Sequence, residues 1–330
     1  IQRCRAVFIV LLCFFFFSST LSAMASTSGP VDRGSAQVIR PETTSGLRAL
    51  YQTMDYSWEK LKNGVPPFIL EVIPADIGST SSTAVKKRTF FMGLLPMILL
   101  ANQEIQKERT EVLQILEKQR KREARRGDRD RLEEIAQRYG LRVRPYLDHR
   151  TRTLLLKRVD TIPPALVLAQ AANESAWGTS RFSRLGNNLF GEWTYRPGTG
   201  IVPENRPPGQ SYEVRRFHSL YESIRSYMNN LNRNGAYRKL REIRSELRNA
   251  RQPATGVALA RGLEKYSQRG EEYIREIQAM IRQNKLFRAN TASLRKPRTE
   301  QITNVSTEGS GLFSTRNRAI GHIAPSRLNP

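Results

Sequence analysis

The chain has 330 residues, and 54 lysines and arginines against 30 acidic residues give it a formal charge of +24. Such a balance first suggests nucleic acid, yet no zinc-finger, homeodomain or RNA-binding aromatic pattern is present, so nucleic acid is not the expected partner. The only cysteines are Cys4 and Cys13, which excludes a disulfide framework and cysteine metal sites from everything downstream.

Residues 1–25 read as a secretory signal. Arg3 and Arg5 precede an apolar stretch over residues 6–17, and Ala23, Met24 and Ala25 form a small-x-small cleavage site. The apolar stretch is short for a membrane span, so cleavage is expected. Cleavage removes both cysteines, leaves no disulfide-linked partner, and sends the protein across the inner membrane, with the periplasm as expected location. There a strongly basic chain is steered toward anionic envelope surfaces.

Residues 26–42 read as a flexible lead, and residues 72–83 as a second stretch of low order. A helix is expected over residues 86–117, where Phe90, Phe91, Leu94, Leu95, Met97, Ile98, Leu99 and Ile105, then Val112, Leu113 and Leu116, recur at helical spacing. Its apolar half contains Pro96 and is too short to span a bilayer, so it reads as a buried core helix. A basic end over residues 118–126 follows. Gly127 and Asp128 are expected to break and re-cap the chain before a short helix with Leu132, Ile135 and Tyr139 that stops at Gly140. An amphipathic piece over residues 146–159 leads to the most apolar helix of the chain, residues 164–174. Asp160 or Thr161 is expected to cap it, with proline at the first turn.

Between residues 192 and 218 the helical pattern stops. Pro197, Gly198, Gly200, Pro203, Pro207, Pro208 and Gly209 punctuate the segment, and residues 212–217 alternate as a strand does. Helices resume over residues 220–232, 236–250, 254–263 and 271–285, and the tail from Ala289 has the composition of disorder. The expected organisation is a signal peptide (1–25), a basic helical N-terminal region (26–159), a helical domain with a small β lobe (160–288) and a disordered basic tail (289–330). The fold class is mainly α, with a minor α+β character.

The most informative residue is Glu174. Leu166, Val167, Leu168, Ala169, Ala171 and Ala172 go nearly all the way round its helix, which marks the helix as buried. Desolvation and the negative end of the helix dipole both disfavour a carboxylate there, and so favour the protonated form that a general acid needs. His149, His218 and His322 are far apart and lack metal spacing, and no phosphate loop, dinucleotide turn or Gly-x-Ser-x-Gly element is present. No cofactor and no metal are implied.

Four blocks carry a resemblance: Ala169 to Ser180 (with Glu174-Ser175-Ala176-Trp177-Gly178 at its centre), Asn187-Asn188-Leu189-Phe190-Gly191, Phe217 to Tyr227, and Lys265 to Ile274. Together, over residues 160–286, they resemble the bacterial β-N-acetylglucosaminidases of glycoside hydrolase family 73, and among them the Bax-type proteins. The resemblance implies a lysozyme-like helical domain with a small β lobe. It also implies hydrolysis of peptidoglycan glycan strands between N-acetylglucosamine and N-acetylmuramic acid, with Glu174 as proton donor.

The second catalytic group is less fixed. In the resembled family a second Glu lies about a dozen residues before the Phe of the third block, which points to Glu204, although Pro203-Glu204-Asn205 departs from the family's Thr-Glu-Tyr. Glu192, Glu213 and a substrate-assisted route are the alternatives. Tyr266 matches a tyrosine that lines the family's cleft, whereas Tyr273 reads as core. Trp177, Asn188, Trp193 and Tyr195 are candidate substrate contacts; Trp177 reads equally as packing and Asn188 as a turn residue. A lytic transglycosylase on the same fold and a non-catalytic envelope binder are the competing functions. The Asn-Asn-Leu-Phe-Gly block, in place of the Gly-Leu-Met-Gln common in transglycosylases, favours hydrolysis.

Overall fold

A computed structural model describes residues 36–141 and 148–296. The expected signal peptide, the first part of the lead and most of the tail lie outside the described residues. The chain is mainly α with a small β part, the arrangement expected of a lysozyme-like domain.

Strand β1 (Gln37–Ile39) pairs in parallel with β2 (Phe68–Leu70), Val38 opposite Ile69. Between them lies α1 (Thr44–Thr53), capped by the Thr43 hydroxyl on the Gly46 amide. The lead expected over residues 26–42 is therefore structured from Gln37 onward. The segment 72–83, expected to have low order, holds a 3-10 turn over Ala75–Ser79 and then Ser82, which caps the next helix.

That helix, α2 (Thr83–Arg120), has 38 residues. With a rise of about 1.5 Å per residue, it is the longest helix among the described residues. Pro96 sits inside it without ending it. Proline has no N–H to give the carbonyl four residues earlier, which here is Met92. The buried Tyr56 hydroxyl donates to that Met92 oxygen instead, at 3.1 Å. Tyr56→Phe is accordingly expected to lower stability by about 1–3 kcal/mol, the cost of an unsatisfied buried carbonyl. The loss shrinks in a Pro96→Ala background, where the backbone supplies its own donor. Urea titration of the two single variants and the double variant reads this coupling.

The apolar first half of α2 packs into the main core with α5 (Pro164–Glu174), α7 (Leu220–Arg233), α9 (Gly256–Ala260) and α10 (Glu271–Gln283). Its second half meets α3 (Arg126–Arg138) and α4 (His149–Arg158) in a separate cluster of Val112, Ile115, Leu132, Ile135, Tyr139 and Leu155. The break before α3 falls at residues 121–125, earlier than the expected Gly127. Asp128 does the re-capping, its carboxylate accepting from the Arg125 amide at 3.0 Å. The remaining elements are α6 (Arg181–Gly186), α8 (Arg238–Asn249) and a three-stranded antiparallel sheet in the order β3-β5-β4. These strands are β3 (Trp193–Thr194), β4 (Gly200–Ile201) and β5 (Glu213–Arg215).

Two expectations are corrected. Asp160 does not cap α5: that helix starts at Pro163 and Pro164 with no side-chain cap. Asp160 is buried and faces three arginines instead, Arg248 (Nε at 2.8 Å), Arg244 (3.5 Å) and Arg109 (3.9 Å). Arg244 also donates to the carbonyls of Lys157, Asp160 and Thr161, and Arg109 to those of Leu156 and Val159. The crossing from α4 to α5 is thus fixed by guanidinium groups from α2 and α8.

The second correction concerns the chain after Ala289. Residues 286–291 form a 3-10 turn, the Val65 amide donates to the Ser293 carbonyl, and the Arg295 amide donates back to the Val65 carbonyl. The Arg295 guanidinium donates to the carbonyls of Met54, Asp55 and Gly64. Composition suggested disorder here because so few side chains are large and apolar; backbone pairing and one arginine order the segment.

Candidate active site

Helix α5 delivers two polar side chains to one face, Gln170 and Glu174, four residues apart. Facing them are Tyr273 from the first turn of α10 and Tyr227 from α7. The Tyr227 hydroxyl donates to Gln170 Oε1, Gln170 Nε2 donates to the Tyr273 oxygen at 2.8 Å, and the Tyr273 hydroxyl donates to Glu174 Oε1 at 2.7 Å. Burial pushes both tyrosines well above the ordinary phenol range, and the nearby Glu174 adds to this, so they stay neutral donors. The chain of bonds therefore runs in one direction, toward the carboxyl group, and each link polarises the next.

Glu174 itself is half-buried. Its carboxyl is held above the ordinary carboxylate range, first by desolvation and further by the negative charge of Glu276. The bonds from Tyr273 and from Asn173 (3.4 Å) oppose this, as does the positive charge of Arg269. Because Oε1 accepts both bonds, the acidic proton belongs on Oε2. Glu276 is an influence that sequence reading missed. It lies three residues beyond Tyr273 on α10 and is ion-paired with Arg269, whose guanidinium stands 5.8 Å from the Tyr273 ring centre.

Tyr273 lies in the core, as expected, and its hydroxyl in addition donates to the acid. Tyr266 is buried, stacks on Tyr273 with ring centres 5.2 Å apart, and donates to the Phe190 carbonyl at 3.4 Å. Helical spacing to Ile277 marked Tyr273 as an inward residue; the one signal for its role was that inward and polar, opposite Gln170, are compatible.

The turn after Glu174 explains the rest of its block. Ser175 is buried, its hydroxyl donating to the Ala171 carbonyl at 2.6 Å and accepting from the Gly178 amide at 2.8 Å. Ala176, Trp177 and Gly178 all have positive φ, at 49°, 62° and 82°. Three left-handed residues in a row are costly and cluster at functional sites. The φ of Gly178 favours glycine, and a Cβ there would in addition push the end of the Ile73 side chain, 2.6 Å away. Trp177 turns away to pack edge-on against Phe90 and Phe91 of α2, with the Lys87 ammonium 4.8 Å from its ring centre.

Asn188 is buried with all its polar capacity committed. Its amide donates to the carbonyls of Glu192 and Arg215, and its oxygen accepts from the Phe190 and Glu192 amides. Its place is bracing the β lobe, and it has no donor left to offer a sugar. Trp193 is half-buried and stacks on Tyr212 with centres 4.2 Å apart, while Tyr195 is exposed.

The three carboxylates considered for the second role have different surroundings. Glu213 is buried and accepts from the Gly198 and Gly200 amides, which hold it below the ordinary range; it shapes the turn between β3 and β4. Glu192 is tied to Arg215 Nη1 at 2.6 Å and to the Ser226 hydroxyl. Glu204 is the most exposed, with a single ion pair to Arg181 at 3.4 Å. Among the described residues, no group of three or more His, Cys, Asp or Glu could hold a metal ion, and no helix is long and apolar enough to cross a membrane.

The mainly helical domain thus carries a small β lobe and, at the end of α5, a tyrosine-held carboxyl group; its family match is what marks it as glycosidase-type. Residues 154–286 match the family model Glucosaminidase, described as mannosyl-glycoprotein endo-beta-N-acetylglucosaminidase. Over 284 residues the chain is 29% identical to Protein bax of Escherichia coli (strain K12), which covers 86% of this chain and 95% of that protein. No solved structure matches it. Residues 154–286 thus carry a glucosaminidase-family domain, and over most of its length the chain is similar to a Bax-type protein.

Proposed function

We propose that the protein is an exported peptidoglycan hydrolase that cleaves the N-acetylglucosaminyl-β-1,4-N-acetylmuramic acid bond, with Glu174 as general acid. The observation that carries this reading is the one-way hydrogen-bond chain ending on a carboxyl group of raised pKa. Cleavage of a glycosidic bond requires a proton on the leaving oxygen while positive charge develops on the sugar. Glu174 Oε2 supplies that proton, and Tyr273 steadies the carboxylate that remains. Burial, and after it the charge of Glu276, raises the pKa of the acid. On the β lobe, Glu204 takes the second role, because it is the most exposed of the three candidates and the least committed to the protein's own backbone. Trp193 and Tyr195 lie on the same lobe as sugar-stacking surfaces.

Mass spectrometry of fragments released from purified sacculi tests the reaction. Reducing N-acetylglucosamine ends are expected. Anhydro-muramic ends would replace this reading with transglycosylation, and a peptidoglycan gel with no cleared band would replace it with a binding role.

Tyr273→Phe tests the site's tuning. The Tyr273 bond lowers the Glu174 pKa, so removing it raises that pKa further. The alkaline limb of the kcat profile, set by loss of the acid's proton, is then expected to move to higher pH. A limb that stays in place or moves down contradicts the assigned role of the hydroxyl.

A further inference from the structure

A cavity of about 580 Å³ lies where the start of α2 meets the end of α10. Its apolar wall is Trp58 and Phe91, with ring centres 5.8 Å apart. Around it stand four cationic side chains, Lys87, Arg88, Lys285 and Arg288. Glu59 answers them, paired with Arg88 and held below the ordinary carboxylate range in part by Arg88 and Arg288, against the opposing effect of burial. One carboxylate against four cations leaves a strong positive excess around an aromatic floor. No step of the proposed reaction uses these residues.

The cavity is connected to Glu174 by two elements. Phe91 and Lys87 both touch Trp177, three residues after the acid. Along α10, ten residues separate Tyr273, bonded to Glu174, from Gln283 in the cavity wall, or about 15 Å at the rise of an α-helix. An extended peptide of about four or five residues covers that distance. We propose that this cavity binds an acidic peptide: the carboxylate-bearing branch carried by the glycan whose backbone lies at Glu174. Cations pair with its carboxylates, above a floor formed by the buried Trp58 and Phe91. The assignment rests on the proposed function for the identity of the glycan, and the cavity's own binding chemistry is independent of it.

The test uses the full chain and a Lys285→Gln/Arg288→Gln double variant, both exposed positions remote from the acid. Two substrates are compared: glycan bearing its peptides, and the same glycan stripped by an amidase. The double variant is expected to raise KM about tenfold on the peptide-bearing glycan, equivalent to about 1.4 kcal/mol, and to leave the stripped glycan unaffected. Equal loss on both substrates, or none on either, overturns the proposal. A second arm follows tryptophan fluorescence of the Glu174→Gln chain during titration with a free acidic pentapeptide. Binding that salt weakens and the added double substitution abolishes is expected; no binding overturns the proposal, and so does displacement of the peptide by inorganic phosphate at equal concentration. If neither glycan is cleaved but the peptide binds, the hydrolase reading fails and the cavity assignment stands.

Discussion

Glu174→Gln is expected to lower kcat on purified sacculi by about 10²–10⁴-fold, the contribution of a positioned general acid. The substitution keeps an oxygen to accept from Tyr273, so the hydrogen-bond chain from Tyr227 through Gln170 survives. KM is expected to change little, because the lost interaction is the proton delivered in the transition state. The variant should also be more stable than the parent at neutral pH. A carboxyl whose folded pKa lies above its unfolded value holds its proton more tightly in the native state. Between those two values the unfolded chain binds fewer protons, so the stability of the parent falls as pH rises. Glutamine has no such fall, and the two proteins converge only below the unfolded carboxyl range of about 4.3. Urea titrations between about pH 4 and 8 read this. Full retention of activity would remove Glu174 from the reaction.

Asp160→Asn is expected to destabilise the protein by about 3–5 kcal/mol, as removal of one partner from a buried ion cluster does. Asparagine still accepts from the Thr161 amide but brings no charge. Arg244, with a side chain 1% exposed, then remains beside Arg109 and Arg248 without an anion. Burial already lowers the Arg244 pKa to about 10, with Asp160 opposing that shift. Arg248 is 45% exposed, so its share of the pairing is screened and adds little. The expected loss is a large part of the roughly 5–15 kcal/mol that holds a domain folded. Arg244→Met alone should also destabilise, since the carbonyls of Lys157 and Thr161 lose the Arg244 donor and that of Asp160 keeps only Asn232. The double variant should be more stable than the sum of the two predicts, because it no longer buries that unpaired guanidinium. Strict additivity in denaturant titrations would show that Asp160 and Arg244 do not act as a pair.

Several parts of this structure could be read from the chain. The apolar run before Glu174, with Pro164 at its first turn, requires a buried helix wherever it is placed, and α5 is that helix. Periodicity gave α7, α8 and α10 to within a few residues, because each has one apolar face against polar surroundings. The proline- and glycine-rich stretch after Gly191 could only be irregular, and it carries the small sheet. Other parts depended on partners far away in sequence. Pro96 is tolerated in α2 because Tyr56, 40 positions earlier, lends a donor. Asp160 looked like a local cap, and it became an anchor because α2 and α8 bring arginines to it. Asn188 looked available to a ligand until the β lobe folded around it and took its hydrogen bonds.

The sequence by itself determined that a carboxyl group would end a buried helix, since the apolar character of residues 164–172 is a local property. It also determined that desolvation would raise the pKa of that carboxyl. Which tyrosine would hold it was decided by tertiary structure alone. Tyr266 and Tyr273 lie seven residues apart in one segment, and only the antiparallel packing of α10 on α5 sets one hydroxyl on Glu174 and turns the other ring behind it. The same packing sets Gln170 between Tyr227 and Tyr273 and brings the charge of Glu276 to the acid. Burial can be read along one helix, whereas hydrogen-bond geometry belongs to the contact between several.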